Sequence, residues 1–131
     1  PSTRASRSRS GSPAWNLAMH EMSLAESVLR IAEETARANG GTRISSVLVE
    51  IGRLAGVEIE ALRFCFDAAS RSSLAADAAL VIEQPEGQAW CMPCGATVSL
   101  SSLSDPCPHC GSHQLQVTGG TELKVREVQI H

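Results

Sequence analysis

Aromatic side chains are nearly missing from this 131-residue chain, at 3% against 43% hydrophobic residues in all. Its core must therefore be aliphatic, filled by Leu, Val, Ile and Ala. No stretch approaches the ~18 consecutive apolar residues of a membrane-crossing helix, so no such span is expected. Between Arg71 and Lys124 there is no lysine or arginine, although that interval carries Asp77, Glu83, Glu86, Asp105 and Glu122. Binding DNA or RNA requires cations set against phosphates, so this half of the chain is not read as a nucleic-acid surface. The length fits one modest domain, or one domain with a small insertion.

Residues 1–13 lack any acid, are rich in Ser and Arg, and show no hydrophobic periodicity. Such composition predicts disorder. Ordered patterning begins abruptly at Met19, which favours residues 1–18 as a disordered, non-native extension with Met19 as the natural first residue. A transit peptide and an RNA-binding Arg-Ser tail are the competing readings. Without residues 1–18, which hold three arginines, the formal charge moves from -3 to -6.

What the chain does have is cysteine in two tight pairs, Cys91-Met92-Pro93-Cys94 and Cys107-Pro108-His109-Cys110, twelve residues apart. Each C-x-x-C puts two thiolates on one turn, and two facing turns make a tetrahedral sulfur site of the kind that holds structural Zn²⁺. Gly95 and Gly111 follow the pairs, where a knuckle turn needs positive φ. Two disulfides are the bland alternative, and the odd Cys65 argues against them. That pattern suggests a reduced, cytosolic setting. Cys65 itself is read as a buried small hydrophobe. His109 and His113 are read as solvated; replacing a cysteine ligand or sensing pH are their alternatives.

Around these pairs the patterning is α/β. Ser23-Leu24-Ala25-Glu26 reads as a capping box opening a helix from about Ser23 to Ala38, closed by Asn39-Gly40-Gly41. Leu24, Val28, Ile31, Ala32 and Thr35 form its apolar face, while Glu26, Arg30, Glu33, Glu34 and Arg37 form a solvated one. Ile44 to Gly52 alternates as a strand. Gly52 to Val57 is a glycine-punctuated loop, and Glu58 to Ser70 is a second helix. A strand begins at Leu80 and stops before Pro85. Thr97–Leu100 and Leu115–Val117 are short ribbon strands, Gly119-Gly120 is an exit hinge, and Leu123 to Ile130 is a last strand. Its alternation slips between Val125 and Val128, the mark of a bulge. The expected fold is two helices on a small three-stranded mixed sheet with an inserted zinc-ribbon module. Residues 19–88 and 119–131 form the α/β domain, and 89–118 the ribbon.

Met19-His20-Glu21-Met22-Ser23, the strand end Val49-Glu50-Ile51-Gly52, the segment Leu62-Arg63-Phe64-Cys65-Phe66-Asp67 and the paired C-x-x-C knuckles occur in that order. The chain resembles the HypA family of nickel metallochaperones from Met19 to its C-terminus. The resemblance implies a protein that is not an enzyme. It implies delivery of nickel to the precursor of a nickel-iron hydrogenase large subunit, and in some relatives service to urease maturation proteins, alongside a GTPase partner, HypB. Zinc at Cys91, Cys94, Cys107 and Cys110 is then structural, and nickel is cargo. His20 supplies imidazole and amide nitrogen, and Glu21 its amide and a carboxylate. Met19 supplies its amine where it is the true N-terminus. Glu58 falls where some relatives carry an acid near the nickel; the alternative role is favouring the dipole of the second helix. Nitrogen donors held in a plane by the chain suit square-planar Ni²⁺ or Cu²⁺.

Two departures stand out. Residues 1–18 would tie up the amine of Met19, and glycine follows both pairs where some relatives have histidine. Three rival readings remain: a zinc-ribbon protein-interaction or nucleic-acid module, a rubredoxin-like iron carrier suggested by Cys107-Pro108-His109-Cys110-Gly111, and a hydrolytic zinc enzyme. The last lacks an open ligand position for water. Monomer and homodimer are both left open.

Overall fold

The computed structural model describes residues 2–3 and 14–131, with side chains described from His20 onward. The elements run β1 (Ser2–Thr3), α1 (Ala14–Ala38), β2 (Ile44–Ile51), α2 (Ile59–Ser70), β3 (Ala79–Glu83), β4 (Gly87–Cys91), β5 (Ala96–Leu100), β6 (Leu115–Gly119) and β7 (Leu123–Ile130). They build two sheets. One has the order β1-β7-β2-β3 and the other β5-β4-β6.

The first sheet is mixed because its connections differ. β2 and β3 pair in parallel, with Val47 opposite Leu80 and Val49 opposite Ile82. Parallel neighbours need a crossover, and α2 supplies it. β7 returns antiparallel on the other side of β2. The alternation slip forecast in the last strand is real: Glu127 faces Leu48 and Val125 faces Val49, which leaves Arg126 as the extra residue. The bulge turns Arg126 toward Glu50, whose Oε1 lies 2.6 Å from its guanidinium. The expected three-stranded core of this sheet is present, with the two-residue β1 added at its β7 edge. At the other edge Arg63 of α2 donates to the carbonyl of Leu80 at 2.8 Å, covering part of β3's open side.

One core joins the inward residues of this sheet to both helices. Ile44, Val47, Val49 and Ile51 from β2 meet Leu123 and Val125 from β7, Leu24, Ala25, Val28, Ala32 and Ala36 from α1, and Leu62 and Phe66 from α2. The α1 residues recur every three or four positions, as one face of a helix must. Cys65 is buried here, as a small hydrophobe. Glu33 departs from the solvated face assigned to it. Its Oε2 accepts from the Leu74 amide at 3.3 Å and holds the loop after α2 against α1.

Helix α1 begins at Ala14 and not at Ser23, which sits exposed within the helix. The run Ala14 to Met22 contains Leu, Ala, Met and Glu, all good helix formers, and Ser-x-x-Glu is tolerated in a helix interior as well as at its start. The expectation of disorder over residues 1–18 therefore fails for 14–18, which are helical, and for Ser2–Thr3, which pair with Leu123 and Lys124. For residues 1 and 4–13 it lies outside the described residues.

The second sheet includes β4, a strand absent from the sequence reading. It is the central strand, paired with β5 on one side and β6 on the other. Its small core comprises Leu54, Ala89, Cys91, Val98, Leu100 and Cys107. Leu54 belongs to the loop after β2 yet is 5% exposed inside the second sheet's core. The two sheets meet where three glycines cross. A Cβ on Gly52 would lie 2.2 Å from the Gly120 backbone, and one on Gly120 (φ +86) would lie 2.5 Å from Gly87 Cα. Hydrogen bonds lock the crossing: Leu54 N to Gly120 O at 2.8 Å, Arg53 N to Pro85 O and Gly52 N to Glu122 O, both at 3.0 Å.

Candidate metal centre

At the far end of the second sheet, β4 delivers Cys91 and the turn before β5 delivers Cys94. Cys107 and Cys110 come from the loop between β5 and β6. The knuckle turns close as their sequence predicts. Gly95 N bonds Cys91 O at 2.8 Å and Gly111 N bonds Cys107 O at 2.9 Å, with the two glycines at φ 62° and 76°. Met92 N to Gln114 O at 3.0 Å ties the first knuckle to the chain after the second, and Cys107 N to Ser112 O at 2.8 Å closes the second knuckle on itself.

The four sulfur atoms lie within 4.8 Å of one another. Cys91 and Cys110 are 3.6 Å apart and Cys94 and Cys107 are 3.9 Å apart. A tetrahedron with metal–sulfur bonds of about 2.3 Å has edges of about 3.8 Å, so the donor set fits a four-coordinate ion with no open position. All five cysteines are free, which removes the disulfide alternative. His109 and His113 are exposed and stand outside the cluster.

The thiols are not equivalent. Burial opposes ionisation of Cys107, but the amides of Cys110 and His109 point at its sulfur, and the balance brings its pKa down to about 6. Cys94 is pushed up to about 12, chiefly by hydrogen bonding with the sulfurs of Cys110 and Cys91 and by burial. Cys91 also ends raised: the Cys94 amide lowers it, but burial and its sulfur neighbours outweigh that. The cluster thus holds one ready thiolate in Cys107 while retaining protons on Cys91 and Cys94.

The other predicted residues lie on the helical side. Met19 is inside α1 with its nitrogen in a peptide bond, and His20 and Glu21 are likewise helical. His20 is half-buried, and its Nε2 is buried with no hydrogen-bond partner among the described residues. Glu21 is 1% exposed; its Oε2 accepts from the Glu58 amide at 2.9 Å, while Oε1 is buried without a partner among the described residues. Glu58 is the N-cap of α2, its carboxylate accepting from Ala61 N at 3.1 Å. The structure therefore joins Glu21 to Glu58 through that residue's backbone amide, and their carboxylates point to separate N–H groups. Cys65 borders this spot: burial and the charge of Glu21 raise its thiol. Neither the role of Leu54 nor the buried state of Glu21 was legible from local pattern.

Comparison with known proteins agrees with this geometry. A family model described as hydrogenase/urease nickel incorporation, metallochaperone, hypA matches residues 19–130. The hydrogenase maturation factor HypA of Dechloromonas aromatica (strain RCB) is 53% identical over 112 residues, covering 86% of this chain and 99% of that protein. The protein of the same name from Azotobacter vinelandii is 50% identical over 112 residues with the same coverage. A solution structure of HypA protein superposes with a TM-score of 0.62 at 26% identity, covering 86% of this chain and 97% of that one. The solution structure of the Ni metallochaperone HypA from Helicobacter pylori shares the fold, with a TM-score of 0.60 at 24% identity over 84% of this chain and 96% of that one. The chain therefore belongs to the HypA family, a family of metallochaperones and not of enzymes.

Proposed function

We propose that this chain carries nickel to the precursor of a nickel-iron hydrogenase large subunit in the cytoplasm, acting with a HypB-type GTPase, and that urease maturation is a second client class. Zinc at Cys91, Cys94, Cys107 and Cys110 holds the ribbon of residues 89–118, and the α/β part of residues 19–88 and 119–131 carries the cargo at His20 and its neighbours. The observation that supports this division best is the contrast between the two donor sets. The four sulfurs close on one another and leave no position for exchange. His20 Nε2, by contrast, is a nitrogen donor with no hydrogen-bond partner among the described residues. A carrier must release its metal to a partner, and a site built on nitrogen donors is better suited to that than a closed four-thiolate one.

The cargo site needs the amine of Met19 and the amide nitrogens of His20 and Glu21. In the chain as it stands those nitrogens belong to peptide bonds within α1. Nickel binding in that manner calls for a free amine at Met19 and an unwound first turn. A calorimetric nickel titration of three zinc-loaded forms tests this: the whole chain, a chain beginning at Met19, and that shorter chain with His20→Ala. One nickel bound tightly by the Met19 form and poorly by the other two is the expected result. Equal binding by all three would move nickel elsewhere and leave a zinc-stabilised interaction module as the better reading.

A further inference from the structure

We propose that the outer edge of β7, with the cavity beside it, is a strand-addition site for an extended, arginine-bearing segment of a partner protein, and that Ser2–Thr3 fills part of it in this chain. The proposal is independent of the nickel assignment. It starts from the unequal edges of the sheet β1-β7-β2-β3. At one edge, Arg63 of α2 already takes the Leu80 carbonyl of β3 at 2.8 Å. At the other, β7 accepts a strand: Ser2 lies opposite Lys124 and Thr3 opposite Leu123, antiparallel. β7 runs for eight residues and β1 for two, so most of this edge lies beyond the pairing. An open edge is a template for a further strand. Main-chain bonds then give affinity, and pockets for the side chains give specificity.

The register places one such pocket. Glu122 turns its carbonyl to the end of β2, where Gly52 N donates at 3.0 Å. Backbone groups of successive strand residues point to opposite sides, so Leu123 turns its N–H and C=O outward, to the added strand. Leu123 sends its side chain into the core, and Glu122 and Lys124 send theirs to the opposite face. Directly opposed residues share a face. In the register of β1, the next position of an added strand falls level with Glu122, so its side chain lies on the Glu122 face. A cavity of about 360 Å³ opens there, lined by Glu50, Glu86, Glu122 and Lys124 among others. Three carboxylates thus meet one ammonium, Lys124, whose Nζ is 3.7 Å from Glu122 Oε1. Glu50 is also paired with Arg126, and Glu86 accepts from Ser101 Oγ at 3.5 Å. The lining stays acidic, and a planar guanidinium is the cation best matched to carboxylates. The chain's own occupant belongs to a segment of that composition: residues 1–13 hold three arginines and no acid.

The test uses the zinc-loaded full chain and its Thr3→Pro variant, with the chain beginning at Met19 as a second way of clearing the edge. Proline at position 3 has no N–H to give to β7 and leaves every core residue of both sheets in place. The probe is a synthetic peptide with the sequence of residues 1–10, alongside the same peptide with its three arginines replaced by glutamine. Binding and amide exchange are read by NMR. Exchange of the Leu123 amide is expected to be about tenfold faster in Thr3→Pro than in the parent, the scale of one hydrogen bond. The arginine peptide should shift the signals of Glu122, Leu123 and Lys124. It should bind Thr3→Pro and the Met19 form at least about fivefold more tightly than the parent, where a tethered strand competes. The glutamine peptide, and Glu122→Gln in the Thr3→Pro background, should each weaken binding by about fivefold. Equal Leu123 exchange in parent and variant would mean that β1 does not hold this edge. Shifts centred on β3 or on the cysteine knuckles would place the site elsewhere, and a glutamine peptide that binds as well as the arginine one would remove the cavity's role. A Thr3→Pro chain that dimerises in sedimentation and ignores the peptide would make a second copy the occupant. Each of these results overturns the proposal. Should Thr3→Pro fail to fold, the Met19 form decides by the same readouts.

Discussion

Gly95 and Gly111 occupy matching places, each at positive φ one residue after a knuckle's second cysteine, and each with open space where a Cβ would be. Alanine at Gly95 therefore meets only the backbone penalty of a left-handed residue, about 1–2 kcal/mol. Zinc affinity, measured by chelator competition, should fall by about tenfold for Gly95→Ala. The thiols give a pH dependence with a definite sign. Cys94, at about 12, and Cys91, also raised, hold protons at neutral pH, whereas Cys107, at about 6, has largely lost its own. Binding a cation must expel the protons of Cys91 and Cys94. Metal affinity thus rises with pH between 6 and 8, by at least about a hundredfold per unit, from the two protons of Cys91 and Cys94 alone. The same competition run across that range checks it; a flat profile would mean that no protons leave on binding.

Between elements, Leu54 couples the two sheets. It leaves the loop after β2 and fills the core of the second sheet, so truncation removes a contact that neither unit can replace. Leu54→Ala should cost about 2–5 kcal/mol, read as a lower denaturation midpoint. Gly120→Ala should be worse than Gly95→Ala, because its φ of +86° is combined with a Cβ position 2.5 Å from Gly87 Cα. The Arg126–Glu50 pair lies at the surface of the bulge, and its loss should change stability by no more than about 1 kcal/mol.

At the scale of the molecule there are two cores of unequal means. The α/β core gathers residues from two helices and two long strands, whereas the ribbon's core has only six buried side chains, two of them cysteines of the cluster. On the proposed reading, a core that small relies on a metal at the four-cysteine cluster. Stripping the proposed zinc with a chelator should therefore unfold residues 87–119 while the helical part keeps its amide protection. Residue-resolved NMR would show this as signal collapse confined to β4, β5 and β6. Cooperative loss of both parts would instead mean that the glycine crossing and Leu54 bind them into one folding unit.

How much of this was readable in advance depends on the range of the interaction. The C-x-x-C-G knuckles, the alternation of β2, the slip in β7 and the apolar face of α1 are local patterns, and the sequence by itself determined them. Each is set by φ preferences or by side-chain period within a few residues. The family resemblance was legible for the same reason, since it rests on short motifs in order. Other features came only from the tertiary structure. Strand β4 is short, holds Gly87 and a lone large apolar residue, Trp90, and gains its identity from two neighbours that saturate its backbone. The start of α1 was misplaced because a capping-box pattern also suits a helix interior. Leu54, Glu33 and Glu21 look like loop or surface residues until the partner amides and cores, 20 or more positions away, are brought to them. Local sequence specifies what a side chain is able to do. Only the folded chain decides which distant group it meets, because those contacts exist only after the loops between them have closed.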